Sequence, residues 1–245
     1  MPAVQLPNCR DSNVEKIAGF FLEKMWPTVC ASATDARALM QSKDSFFKEM
    51  KERKGICSRA WLFGIVVAIG LGVLGLPASR SAGITPTLEF AGVMTLANWL
   101  LVACYGVCFG LAARLLGSRS EVLASVNTFF YLSGWLVVLK MFEMPALGAR
   151  LKAMTQSCAS LSYDQAVTAA IRHSQMATVS DYLVLFGYIL FVLLGVIKMQ
   201  RVVHDFGRTR AWLSTAIGMV LLSAMVSYVQ EPIISQLMCS YASQS

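Results

Sequence analysis

The chain has 245 residues, of which 56% are hydrophobic and only 14% are charged, and its formal net charge is +7. An average soluble domain carries about 25% charged residues. This composition excludes an ordinary soluble globular protein. It predicts that the lipid bilayer is the main partner of the chain, and we expect no nucleic acid as a partner.

Five long stretches of the sequence contain no charged residue. A helix that crosses a bilayer needs about 20 consecutive apolar residues, so these stretches predict an all-α fold, a polytopic membrane helical bundle of five transmembrane helices within residues 59–232. The fourth stretch has only 16 residues and is the weakest candidate. The predicted spans are 60–79, 90–113, 122–139, 182–197 and 211–230.

The positive residues indicate how the bundle is oriented. With five spans, one side of the membrane receives 16 of the 21 Lys and Arg residues. The positive-inside rule places that side in the cytoplasm, so residues 1–58 form a cytoplasmic extension and residues 233–245 an external or lumenal tail. Arg114, Gly117 and Arg119 are predicted to form a tight cytoplasmic turn. The expected location is a bacterial inner membrane or a eukaryotic endomembrane.

The cytoplasmic extension has two amphipathic segments. Apolar residues recur on one helical face over residues 12–25. A second segment, 43–55, combines aromatic and basic side chains and predicts a helix that lies along the cytoplasmic membrane surface; the alternative is an ordinary positive flank of the first span. The membrane-surface residues are Phe46, Phe47, Lys48, Lys51, Arg53 and Lys54.

The predicted topology gives the cysteines different environments. Only Cys158 and Cys239 fall outside the cytoplasm and the membrane, so an oxidising exterior would expose one matched pair. A disulfide between them would tie the tail to the external segment 140–181, which also has a capping-box pattern at Ser162 and Gln165. The alternative is that both cysteines are unpaired.

The spans offer packing features and little chemistry. Gly106 and Gly110 form a GxxxG pattern that allows close helix approach, and Asn98 is expected to hydrogen-bond a neighbouring helix. The 98 residues of the five spans include no Asp, Glu, His, Lys or Arg. No phosphate-binding loop, zinc helix or nucleophile elbow is present, and His173 and His204 are expected at solvated surfaces. We therefore predict no enzymatic activity, no catalytic residue, no metal and no cofactor.

Three segments carry a resemblance to a known family: "SFFKEMKERKGICSRAWLFG", "LAARLLGSRSEVLASVNTFFYLSGW" and "VLLGVIKMQRVVHDFGRTRAWLSTAIG". Over residues 43–230 the chain resembles the Yip family, five-span membrane proteins with a cytoplasmic N-terminus that interact with Rab-type GTPases in eukaryotes and also occur in bacteria. The turn "LLGSRSE" lacks a second glycine that the family pattern favours. No catalytic residues come with this family.

The resemblance implies a non-enzymatic scaffold or adaptor that organises other membrane proteins, its own copies, lipids or, in a eukaryote, a small GTPase in membrane trafficking. In a bacterium it implies a role in envelope assembly. The competing hypothesis is a small transporter or channel subunit with a polar path. The residues of that path would be Asn98, Ser125, Asn127, Thr128 and Ser133.

Overall fold

The computed structural model describes residues 44–52, 55–158 and 179–242, together with isolated positions between 27 and 38. Every regular element within these ranges is helical. The predicted helices over 12–25 and after Ser162 lie outside the described residues. In chain order the elements are α1 (Asp44–Glu52), α2 (Ser58–Ser81), α3 (Leu88–Leu115), α4 (Val122–Leu132), α5 (Gly134–Ser157), α6 (Val179–Leu190), α7 (Ile197–Val203), α8 (Arg208–Met225) and α9 (Glu231–Ala242).

Four helices in the described part of the chain are long and apolar enough to cross a membrane, and there are five if the bent pair α4 and α5 counts as one span. This is consistent with an integral membrane protein. Two of the long helices are composite: the π-helical segment Phe191–Val196 joins α6 to α7, and the π-helical segment Val226–Gln230 joins α8 to α9.

The third predicted span differs from a straight helix. The axes of α4 and α5 form an angle of 46°. The break lies at Ser133, whose hydroxyl donates to the carbonyl oxygen of Phe130 at 2.6 Å. Such side-chain bonds to the preceding turn bend helices. Beyond the bend, α5 continues far past the predicted boundary at residue 139.

The predicted external tail is also largely helical. α9 extends to Ala242 and continues the fifth span through the π-helical segment. A disulfide joins Cys239 of α9 to Cys158, at the end of α5, with a Cα–Cα distance of 5.7 Å. The C-terminal end of α2 and the N-terminal end of α3 lie nearby. We call this part of the molecule the disulfide end of the bundle. The opposite end, which carries α1, is the α1 end.

The GxxxG residues lie where α3 and α4 come closest. A Cβ atom added at Gly106 would lie 2.7 Å from the Cα atom of Val126, and one at Gly110 would lie 2.7 Å from a side-chain carbon of Val122. Real Cβ atoms do not approach other atoms so closely. The two glycines therefore allow the backbones of α3 and α4 to pack against each other, as small residues do in membrane bundles.

The helix α1 docks on the bundle, which corrects the predicted contact of its aromatic face with lipid. Phe46 and Phe47 are 3% and 1% exposed, and the Phe46 ring packs edge-on against Tyr131 at 5.2 Å. Ion pairs hold both ends of the helix: Asp44 to Lys198 at 2.9 Å, and Lys51 to Asp205.

This docking has a simple physical reason. The amphipathic pattern of α1 requires an apolar surface that covers Phe46 and Phe47. The protein supplies that surface with side chains of α4 and α7, so the two rings do not need the bilayer. Lys48 remains exposed, while Arg53 and Lys54 lie outside the described residues. The Lys198 ammonium beside Asp44 lowers the pKa of that carboxyl group by hydrogen bonding and by charge.

Two of the three apolar clusters of the described residues lie at opposite ends of the bundle. The larger one lies at the α1 end and includes Met50, Phe129 and Met199. The smaller one lies at the disulfide end, where Phe90 of α3 and Leu151 of α5 are buried together. A compact domain usually has one contiguous core, so the space between these two clusters needs an explanation.

Candidate functional site

A cavity of about 460 Å³ separates the two apolar clusters. All five predicted spans contribute to its wall. One lining residue from each span, in chain order, is Gly75, Asn98, Leu136, Val192 and Met219. Voids larger than a water molecule are few in a well-packed protein interior. Cavities of roughly 300–1,000 Å³ are typical of small-molecule sites.

Aromatic rings close the cavity towards the α1 end. Phe109 and Phe129 stack with their centroids 5.6 Å apart, and Phe191 packs edge-on against Phe129 at 5.9 Å. Behind these rings the amide of Gln200, which is fully buried, donates to the carbonyl oxygen of Phe109 at 3.1 Å and accepts a hydrogen bond from Ser214 at 3.0 Å. Three spans are therefore tied together beneath the cavity floor.

A few polar groups interrupt the otherwise apolar wall. Lys140 and Glu143, one turn apart on α5, form an ion pair of 3.1 Å and are about one quarter and one fifth exposed. Across the cavity the hydroxyl of Tyr105 donates to the side-chain oxygen of Gln230 at 2.5 Å. An apolar chamber with a small number of converging polar groups is the usual composition of a ligand site.

The helix irregularities border the same cavity. Leu136, just past the bend at Ser133, lines it, and so do residues from both π-helical segments, Phe191–Val196 and Val226–Gln230. π-helical turns are rare and are often found at functional sites. Three of the five predicted spans therefore depart from ideal α-helix at the depth of the cavity.

The structure brings one residue of the predicted polar path to this cavity and excludes the others. Asn98 lines the cavity and is half-buried. Ser125, Thr128 and Ser133 are fully buried and do not line it. Thr128 donates to the carbonyl oxygen of Ala124 at 2.7 Å. The hydroxyls of these three residues bond within the protein, so the structure does not bring them together with Asn98 at the cavity.

Asn127 has a purely structural environment. Its side-chain oxygen accepts hydrogen bonds from the backbone N–H of Cys57 at 3.3 Å and from the indole N–H of Trp61 at 2.9 Å. Its amide nitrogen donates to the carbonyl oxygen of Gly55 at 2.9 Å. This fully buried amide fastens the start of α2 to α4.

His204 is buried, in contrast to the predicted solvated position, whereas His173 lies outside the described residues. The two ring nitrogens of His204 lie 2.8 Å from the hydroxyl of Ser118 and 2.7 Å from the hydroxyl of Ser125. Burial disfavours the charged imidazolium and lowers the pKa of His204 to about 4, against the opposing influence of Asp205. The ring is therefore neutral at physiological pH and joins α4 to the loop after α7.

The predicted cytoplasmic turn forms the connection between α3 and α4. Gly117 adopts a left-handed conformation with φ of 80°. This lets the N–H of Ser118 reach the carbonyl oxygen of Ala113 at 3.0 Å, a common helix C-terminal motif. The side chains of Arg114 and Arg119 are exposed.

Inspection of the charge-free stretches missed the ion pair in the cavity wall. Lys140 directly follows the third stretch and Glu143 is three residues later, so a continued helix places both on one face. That spacing was the available signal. Among the described residues, no group of three or more His, Cys, Asp or Glu side chains could hold a metal ion.

No family model matches the chain, and no curated protein and no solved structure shows significant similarity to it. The resemblance to the Yip family therefore rests on the sequence segments alone.

Proposed function

We propose that this chain is a non-enzymatic five-span membrane protein that binds a small molecule with an apolar body and a polar end in its central cavity, as a carrier does. The observation that carries this proposal is the Lys140–Glu143 ion pair in the wall of a cavity lined by every predicted span. Ionisable side chains that face the interior of a membrane bundle are rare and often mark ligand sites.

The arrangement of the connecting segments supports five passes and a cytoplasmic N-terminus. Segments predicted to be cytoplasmic contact one another: Lys51 of α1 pairs with Asp205, and the N–H of Gly55 bonds to Glu121 at 3.1 Å. The two predicted external segments are joined by the disulfide. A reporter that is active only in the cytoplasm should work within residues 201–209 and fail at residue 245; activity at both positions would contradict this topology.

The shape of the cavity defines what it can hold. Its lining is mostly Leu, Met, Phe and Val, which suits a hydrocarbon chain or ring system. The ammonium of Lys140, the carboxylate of Glu143 and the amide of Asn98 can hydrogen-bond a polar end group of either charge. Because the floor is closed by stacked rings, a ligand leaves towards the α1 end only if Phe109 and Phe129 move apart.

Photolabelling can test this proposal. The probes are an alkyl diazirine with a terminal amine and its carboxylate counterpart, added to the full chain in phosphatidylcholine nanodiscs. Gly75 lines the cavity, and a methyl group placed on it would have no neighbouring atom within 4 Å, so Gly75→Leu is the substitution chosen to occupy cavity volume. Gly92 has the same open space but does not line the cavity, which makes Gly92→Leu the matched control.

We expect one of the two probes to label cavity residues such as Met94 and Met219, mapped by mass spectrometry. That labelling should fall severalfold in Gly75→Leu and stay unchanged in Gly92→Leu. Equal labelling of the wild type and Gly75→Leu, or labels only on lipid-facing residues, would show that the cavity is not a binding site.

A scaffold or adaptor role is the second candidate, and the docking of α1 favours it. This helix is folded onto the bundle with its polar side exposed, so the predicted cytoplasmic face offers a built surface to other membrane proteins, to a second copy or to a small GTPase. Purification in mild detergent distinguishes the two candidates. A stoichiometric partner chain supports the scaffold, whereas a lone protein that moves the same probe, kept in the dark, across liposome membranes supports the carrier.

A further inference from the structure

A second chamber lies at the α1 end, outside the central cavity. It has a volume of about 570 Å³ and is bordered by Lys51, the turn 117–121, the loop 204–206 and Arg210. We call it the α1-end cleft. None of its lining residues belongs to the central cavity, so what it binds is independent of the function proposed above.

The charges around this cleft favour an anion. Three cationic side chains line it, from Lys51, Arg119 and Arg210, against the two carboxylates of Glu121 and Asp205. Both carboxylates already have partners. Glu121 accepts from the N–H of Gly55 at 3.1 Å, and Asp205 is paired with Lys51.

Two of the cations are held in place. The guanidinium of Arg210 lies 4.9 Å from the centre of the Phe206 ring and donates to the carbonyl oxygen of Leu116. Stacking on an aromatic ring orients an Arg side chain and leaves other N–H groups available. Lys51 is positioned by its contact with Asp205.

Arg119 is the uncommitted charge. Its side chain is exposed and makes no hydrogen bond or ion pair with any other residue that the structure describes. The cleft floor beside it is polar but uncharged, because it consists of the neutral ring of His204 and the hydroxyl of Ser118, which are hydrogen-bonded to each other. At this floor an incoming anion would therefore meet no carboxylate, and the charge of Glu121 at the cleft is opposed by those of Arg119 and Arg210.

The cleft lies where lipid-facing surface begins. Leu115, next to the turn, is 71% exposed, and Trp212, half a turn beyond Arg210, is 50% exposed. Exposed Trp side chains are typical of the boundary between hydrocarbon and headgroups. The cationic groups are thus at the depth at which phospholipid phosphates lie.

From this geometry we infer that the α1-end cleft binds a phosphate group, presented by an anionic phospholipid headgroup or by a soluble phosphate compound, with Arg119 and Arg210 as the ligands of its oxygens. Arg guanidinium groups match phosphate oxygens with two parallel N–H donors.

The test measures phospholipid retention on the purified full chain by native mass spectrometry. The protein is mixed in detergent with equal amounts of phosphatidylglycerol and phosphatidylcholine. Arg119→Gln removes the uncommitted charge, Arg119→Lys preserves it, and Arg80→Gln is the matched control because Arg80 is an exposed arginine at the disulfide end. A basic residue near an anionic surface contributes about 1 kcal/mol, which is about fivefold in affinity.

We expect the wild type to retain phosphatidylglycerol over phosphatidylcholine and Arg119→Gln to lower that preference about fivefold. Arg119→Lys should lower it less than Arg119→Gln does, because it keeps the charge but loses the paired N–H donors, and Arg80→Gln should leave it unchanged. Inorganic pyrophosphate is then added as the soluble competitor. Displacement of the lipid supports a site that also accepts free phosphates, and retention supports a site for the headgroup. An unchanged preference in Arg119→Gln, or an equal loss in Arg80→Gln, overturns the inference.

Discussion

Replacing Asn127 by Ala should loosen the α1 end of the bundle. The substitution removes the acceptor of two donors, the backbone N–H of Cys57 and the indole N–H of Trp61. A buried donor that loses its acceptor costs roughly 1–3 kcal/mol. This full cost applies to the buried N–H of Cys57, whereas the half-buried indole of Trp61 contributes less, so the expected loss of unfolding free energy is about 1–4 kcal/mol. The carbonyl of Gly55 adds little to this loss, because Gly55 is half-buried and water can reach it.

The assay is unfolding in mixed micelles, followed by circular dichroism as the denaturing detergent is titrated, together with limited trypsin digestion. Because Asn127 fastens the start of α2, we expect faster cleavage between α1 and α2 as well as a lower midpoint. Asn98→Ala is the matched control, since Asn98 is half-buried in the cavity wall, and it should cost less than about 1 kcal/mol. Equal stability of Asn127→Ala and the wild type would refute this account of the buried amide.

Three further predictions concern single contacts. Cys239→Ser removes the disulfide between residues 81 positions apart and should lower the free energy of unfolding by about 4 kcal/mol. The wild type measured under reducing conditions should lose as much stability. Unchanged stability in both cases would contradict this prediction. Gly106→Ala should destabilise the bundle by about 1–3 kcal/mol, because its Cβ would meet the backbone of α4, whereas Gly92→Ala should not; thermal stability in detergent compares the two. Burial lowers the pKa of His204 from 6.5 to about 4, so between these pH values the unfolded chain binds more protons than the folded chain. The free energy of unfolding should therefore fall by about 3 kcal/mol as the pH is lowered from 6.5 to 4. A His204→Gln variant that loses as much stability over the same pH range would disprove this.

The positions of the long apolar helices could be predicted because they follow from hydropathy. Charge-free stretches ended close to the observed ends of α2 and α3, since charged side chains are expensive within hydrocarbon. The bend at Ser133 could not be predicted in this way. It depends on a hydroxyl that bonds to the preceding turn and on the neighbours that accept the new direction of α5, and neither is visible in hydropathy.

The same difference between what hydropathy predicts and what depends on packing is seen for single side chains and for the cavity. An amphipathic pattern predicts that Phe46 and Phe47 are covered, but it does not distinguish lipid from protein as the cover. The cysteine pair could be predicted because topology alone separates Cys158 and Cys239 from the other thiols. The cavity could not be predicted, because its volume depends on how the five helices diverge between two apolar clusters. Its ion pair lies just past the end of the third charge-free stretch.

The disulfide limits how the bundle can move. The disulfide between Cys158 and Cys239 acts as a clamp on the C-terminal ends of α5 and α9. These two helices therefore cannot separate at that end. The bend at Ser133 lies at the start of α5, and the π-helical turn Val226–Gln230 directly precedes α9. Any widening of the bundle is therefore largest at the α1 end and smallest at the clamp. Reduction of the disulfide would remove this constraint and allow α5 and α9 to separate at the disulfide end as well.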